Sequence, residues 1–532
     1  MVSRTLAIAA AFTLLTPLAL AQSNLPAPVE QAQLRELDGW SVSALSRNDG
    51  ALAPDLWARS DPGFLSAVFA RLPAVYDSPA MQTLARRVLF SGGEAPRGAT
   101  VEHVRGRFEA LGKMGAADEL AMLAAGSGST LSDPAVAMFA AQAELARGRR
   151  AEACQRGRNA QAGETPPPFL LRLRAYCAAV TGDRAAADLA LELARAQNAA
   201  DAWYTGAVAA AAGAPGARPP TANYDNSLSA QLSIAGQLRP GANALNNSST
   251  LALVALARNE NAPQPQRAQA AALAFRRGAI GAGEARTILL ATPAQTTTGL
   301  PPAVAALRQV QAAPGSMEAA GAIAGVLRAA NTPADFNAAA RLFQGDIIAL
   351  ESAPDAAAAL LFARAAIAAG DVRNGQRLTA SARQAGADEA ALAPLDAALV
   401  ALSGPRGDQA AMALQRRIDR GASQARAAAR DAAILAALGA PVNGSVQSFL
   451  LANAPQGGAR ADTGAMLALQ AAVERGAVGE GALLAVAAAG EGGPARLDAE
   501  SIERIIRALR ALRLEEDARR IAAEAILAGA PR

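Results

Sequence analysis

The sequence predicts an all-α protein, and three observations carry that expectation. Apolar residues recur at three- and four-residue spacing, as in Phe169, Leu170, Leu173, Tyr176 and Cys177, which is the period of one helix face. A capping side chain stands before a proline at Asp61-Pro62, Ser78-Pro79 and Asp133-Pro134, the pattern of an N-cap followed by proline in the first turn. Strand-type alternation of β-branched and aromatic residues is nearly absent, and aromatics make up only 4% of the 532 residues.

Residues 1–21 read as a secretory signal peptide. Arg4 supplies the positive start, Leu6 to Leu15 an apolar stretch too short to span a bilayer, and Pro17 a break. Ala19-Leu20-Ala21 gives a small-x-small cleavage pattern, so the mature chain is expected to begin at Gln22. A glutamine there, in place of cysteine, argues against a lipoprotein anchor, and no later stretch reads as a transmembrane segment. Almost every basic residue is arginine and Lys113 is the only lysine, a composition expected of a high-GC bacterium. With the signal, the expected address is the periplasm. Residues 22–57 read as a loosely packed N-terminal arm.

From residue 58 the turns begin to repeat. Gly112, Gly148 and Gly182 are spaced by 36 and 34 residues. Five and twelve residues beyond each stand small residues: Ala117 and Ala124, Ala153 and Ala160, Ala187 and Ala194. Gly370 is followed in the same way by Gly375 and Ala382, Gly476 by Gly481 and Ala488, and the glycine-free turn at Arg513 by Ala518 and Ala525. Helices with such small faces bury little area alone, so neighbours must stack to make a continuous core.

The stretch Ala178-Ala179-Val180-Thr181-Gly182-Asp183-Arg184-Ala185-Ala186-Ala187, echoed by Ala368-Ala369-Gly370-Asp371, resembles the tetratricopeptide repeat, a helix–turn–helix unit of 34 residues. The family's large aromatic positions are mostly missing. The likeness covers about residues 100–200 and 360–528 and extends to uncharacterised alanine-rich periplasmic helical-repeat proteins. It implies a right-handed superhelical solenoid of antiparallel helix hairpins, in one or two blocks. On that reading residues 58–210 form an N-terminal repeat block and 331–532 a C-terminal one. Between them, 211–330 is an irregular helical region rich in Pro and Asn, with short helices expected at about 228–237 and 249–258 and a Thr- and Pro-containing loop at 292–302.

The search for chemistry returns no constellation. His103 is the only histidine, so any Ser-His-Asp or Cys-His device must use it. It stands early in an expected helix beside Glu102, where a structural role suffices. Gly112-Lys113 is followed by Met114, which excludes a phosphate-binding Gly-Lys-Ser/Thr loop. Gly126-Ser127-Gly128-Ser129 reads as a loop and Gly278 to Gly283 as a helix turn. No metal site, cofactor site or catalytic residue is expected. Glu515-Glu516-Asp517 opens the last helix, where acidic side chains suit the positive end of the dipole.

Two features remain. Cys154 and Cys177 are expected to be bridged. Each lies about 11 or 12 residues from the connection through Thr165, Pro166 and Pro168, which puts both at about 16 Å along neighbouring antiparallel helices. The alternative is two small buried residues that never meet. Arg504, Arg507, Arg510 and Arg513 recur at three-residue spacing. They read as a solvated face, or as a basic stripe for an anionic envelope partner. A net charge of +4 and scarce aromatics offer no pattern for nucleic acid. The function expected is a non-catalytic periplasmic scaffold for protein or peptide partners. The alternative is a structural envelope component touching peptidoglycan or anionic outer-membrane lipid.

Overall fold

A computed structural model describes residues 37–159, 167–216, 218–295, 298–405, 407–420, 424–455 and 457–530. Among them the chain forms 27 α-helices and no strand, only one isolated parallel bridge between Ala459 and Leu497. The first eight are α1 (Pro62–Arg71), α2 (Pro79–Phe90), α3 (Val101–Lys113), α4 (Ala117–Gly126), α5 (Pro134–Ala146), α6 (Arg150–Asn159), α7 (Pro168–Val180) and α8 (Arg184–Ala196). There follow α9 (Ala202–Ala211), α10 (Ser227–Ala235), α11 (Thr250–Arg258), α12 (Gln264–Arg276), α13 (Ala282–Leu290), α14 (Pro302–Ala312), α15 (Met317–Ala329), α16 (Pro333–Leu342), α17 (Gln344–Ala349) and α18 (Ala356–Ala368). The last nine are α19 (Val372–Gln384), α20 (Glu389–Ser403), α21 (Gly407–Asp419), α22 (Ala425–Ala437), α23 (Gly444–Ala452), α24 (Thr463–Arg475), α25 (Val478–Ala489), α26 (Ala499–Ala511) and α27 (Glu515–Gly529).

The three proline-marked starts are helix N-termini. Asp61 Oδ1 accepts from the Phe64 amide, Ser78 Oγ from that of Met81, and Asp133 Oδ1 from those of Ala135 and Val136. Each such cap is worth about 1 kcal/mol. Gly148, Gly182, Gly370 and Gly476 turn between helices at positive φ, and Arg513 takes the same conformation at φ 62°. In the first repeat the turn glycine is Gly115, at φ 71°, whereas Gly112 stays inside α3. Every small residue of the repeat that falls among the described residues is buried; Ala160 lies outside them. The reason is steric. A Cβ on Gly481 would stand 2.5 Å from Leu512, and one on Gly375 2.9 Å from Ile367. These positions are where helix surfaces touch.

The stretch 211–330 supplies the most enclosed helix. Residues 250–257 of α11 are buried without interruption, as a helix apolar all round must be. It packs on α3, α5, α10 and α12. Residues 37–532 form one compact unit with a continuous core from Trp40 to Leu527.

The N-terminal arm corrects the expectation of loose packing. Residues 22–36, like residues 1–21, lie outside the described residues, but Trp40, Leu56 and Trp57 are all buried. Arg107 of α3 explains the order. Its guanidinium is fully buried and donates to the carbonyls of Gly39, Trp40 and Val42 in the arm, and of Leu89 and Ser91 at the end of α2. Burial lowers its pKa to about 9.

The last helices pack on the first. α25 lies against α1 and α2, and α27 against α2, α18, α20 and α22. Glu480 of α25 is buried and accepts from the Asp61 amide at 2.8 Å; Glu524 of α27 accepts from the Ala80 amide at 2.8 Å. Arg71 pairs with Asp462 and Arg87 with Asp517. Acidic groups near the C-terminus thus hold donors near the N-terminus, and the chain closes on itself.

Candidate functional site

Where the first and last helices meet lies a partly open chamber of about 1200 Å³. Its walls are built from helix stripes. α2 lends Thr83, Arg86, Arg87 and Phe90; α18 lends Ala357, Leu360, Leu361, Arg364 and Ile367; α27 lends Glu516, Asp517, Arg520, Glu524 and Leu527. Steps of three and four residues keep each set on one face. α16 adds Phe336, Asn337 and Arg341, α12 adds Phe275, and the turn from α12 to α13 adds Gly278 and Ile280.

Three arginines of the wall lie over phenylalanines that also border the chamber. The Arg86 guanidinium is 4.6 Å from the Phe90 ring centre, Arg341 5.4 Å from Phe275, and Arg364 5.5 Å from Phe336. Such stacking holds a cation flat on an apolar surface, and Arg364 also donates to the Leu527 carbonyl. Most other charges of the wall are committed. Arg258 joins Asp118 and Glu284 at 2.8 and 2.7 Å, and Arg276 joins Asp335 and Asp77 at 2.5 and 3.1 Å. Burial works against the Arg258 charge, but the hydrogen bonds it donates to Glu284 and Asp118 outweigh that and raise its pKa.

Arg86 and Arg341 are different. Arg86 Nη2 reaches Glu119 at 3.1 Å, but its Nη1 is buried without a hydrogen-bond partner. Burial lowers its pKa, Glu119 opposes that, and the nearby Arg341 cation adds to it. Arg341 stands with no carboxylate in ion-pair range among the described residues, and burial lowers its pKa too. On α27, which packs on α2, Glu524 accepts from the Ala80 amide through one oxygen, while Oε1 has no partner. Burial pushes this carboxyl up to about 7 against the pull of Ser78 and the Ala80 amide.

The chamber's hydroxyls are engaged in the fold: Thr83 donates to the Pro79 carbonyl, and Thr332 caps α16 through the Asp335 amide. His103 is elsewhere, at the start of α3, where Nδ1 accepts from the Thr100 amide at 3.0 Å. Among the described residues no group of three or more His, Cys, Asp or Glu side chains is disposed to hold a metal ion.

Cys154 on α6 and Cys177 on α7 are bridged, with α-carbons 6.0 Å apart. The connection through Thr165 and Pro166 lies outside the described residues. The arginine row does not form one free face. Arg504, Arg507 and Arg513 are exposed, and Arg507 pairs with Glu503. Arg510 is half-buried, donating to the Ala437 carbonyl at the end of α22 at 2.7 Å and pairing with Glu515. Glu515-Glu516-Asp517 does open α27, but Asp517 is also buried against Arg87. Gly126 to Ser129 leads into a short 3-10 helix, Gly128–Ser132, and Gly278 to Gly283 spans the turn from α12 into α13.

No protein-family model, curated protein or solved structure matches the chain. No helix among the described residues is long and apolar enough to cross a membrane. The sequence reading missed Arg86, Arg341, Phe90, Phe275, Phe336 and Glu524. The signal available to it was an arginine in the middle of an otherwise apolar stripe, clearest in α18, where Arg364 interrupts Ala357, Leu360, Leu361 and Ile367.

Proposed function

We propose that this chain is a non-catalytic binding protein of the periplasm, built from tetratricopeptide-like antiparallel hairpins stacked as a right-handed solenoid whose ends meet, and that its chamber receives a segment of a peptide or protein partner. The observation that carries this reading is the wall itself, which mixes apolar helix stripes with arginines stacked on phenylalanines. Clefts for compact small molecules occupy about 300–1,000 Å³. A chamber of about 1200 Å³ suits an extended segment better, and it is far too small for a folded domain. The Cys154–Cys177 bridge suits an oxidising compartment, as the expected signal peptide does.

The test is site-specific photo-crosslinking in cells, followed by mass spectrometry of the periplasmic fraction. A photoreactive residue at Ala338, on the chamber wall, is expected to capture peptide. One at Leu189, exposed on α8, is not. Adducts from Leu189 alone, or a chain recovered only with the sacculus, would refute the chamber reading and favour an envelope component.

A further inference from the structure

We infer that the segment held in the chamber is acidic, and that Arg86 and Arg341 together bind one of its carboxylates. This rests on the reading of the chamber as a peptide site. Both guanidiniums border the chamber beside the contact between α2 and α16. Two cations on one wall, one of them with a buried donor left unpaired, make an arrangement that an anion relieves. The planar guanidinium fork matches a carboxylate in two parallel hydrogen bonds, and stacking on Phe90 and Phe275 already fixes the plane of each fork.

The protein's own acids do not fill the place. Glu119 holds the other nitrogen of Arg86, Asp118 and Glu284 are held by Arg258, and Asp335 by Arg276. Burial lowers the pKa of Arg86, and the nearby Arg341 cation adds to that, so an anion placed beside the pair would be favoured. The same wall carries large apolar side chains. Phe275, Phe336, Leu327 and Leu360 border the chamber, so the carboxylate-bearing residue is flanked by apolar or aromatic ones.

The experiment uses the full chain, immobilised, and a synthetic pool of random octapeptides whose captured members are sequenced by mass spectrometry. The wild type is expected to enrich Asp and Glu beside Leu, Phe or Tyr. Arg341→Gln, which removes no hydrogen bond of the fold, is expected to lose that enrichment and to bind a captured acidic peptide about tenfold more weakly. Arg86→Gln is the second variant, and circular dichroism checks that both are folded. Binding of the acidic peptide should weaken with added salt. Capture of peptides with no acidic preference would overturn the carboxylate site and leave the peptide reading standing. Capture of no peptide, or equal capture by a chamber-filling Ala357→Trp variant, would overturn the peptide reading itself. Binding of inorganic phosphate or dodecanoate with no peptide captured would assign the two arginines to a small anion and overturn the proposal.

Discussion

Replacing Glu524 with glutamine should change how stability depends on pH. In the folded chain this carboxyl is pushed up to about 7, from an ordinary value of 4.5, because the end of α2 and the body of α27 exclude water from it. A folded pKa above the unfolded one means that the native state keeps a proton the unfolded chain has released. Stability therefore falls as pH rises from about 4.5, and the loss is complete above about 7. The displacement corresponds to about 3 kcal/mol at full development. Glutamine keeps a carbonyl oxygen for the Ala80 amide but carries no charge at any pH. Urea unfolding at pH 5 and pH 8 reads the difference. The two proteins should lie within about 1 kcal/mol of each other at pH 5, and E524Q should be the more stable at pH 8 by up to about 3 kcal/mol. Asp431, Glu480 and Asp517 are shifted upward by burial as well, but they act in both proteins and cancel in the comparison. Parallel pH curves for wild type and variant would refute the reasoning, since they would mean that Glu524 ionises in the folded chain as it does in water.

Removing the disulfide by Cys154→Ser and Cys177→Ser together should cost about 3 kcal/mol for a separation of 23 residues, read as a lower unfolding midpoint that no longer responds to reductant. Arg107→Met should be among the most damaging single changes, on the order of 3–5 kcal/mol, because it abandons five backbone carbonyls in a dry site. Tryptophan fluorescence should report it, through exposure of Trp40 and Trp57 as the arm loosens.

Much of the secondary structure was legible because its signals are local. The helices expected at 228–237 and 249–258 appear as α10 and α11, and their starts follow from Asn226 and Ser249, which cap them. The cysteine pair was legible because equal distance from a connection gives equal height on antiparallel helices. The turn placed at Gly112 misses by three residues. Gly112 and Gly115 compete there, and only the conformation, not the residue type, tells them apart. The arm could have been read better: two of the chain's three tryptophans stand in it, in a protein with few large side chains. The chamber was not legible. Its walls come from helices hundreds of residues apart, and the pairing of Asp61 with Glu480 or of Ala80 with Glu524 leaves no pattern in either segment. Arg510 shows the same limit from the other side. Spacing put it in a row with Arg504 and Arg507, but the carbonyl that engages it belongs to α22.

The meeting of first and last helices also sets a clock. The amides of Asp61 and Ala80 wait for acceptors 419 and 444 residues away. Until α27 has left the machinery that delivers the chain, α2 has one flank unpaved. The opening segments cannot reach their final state in the order in which they are made. Contacts of such long sequence separation make late, slow steps in folding. The fifteen residues of α27 act as the keystone whose arrival commits the segments made long before it.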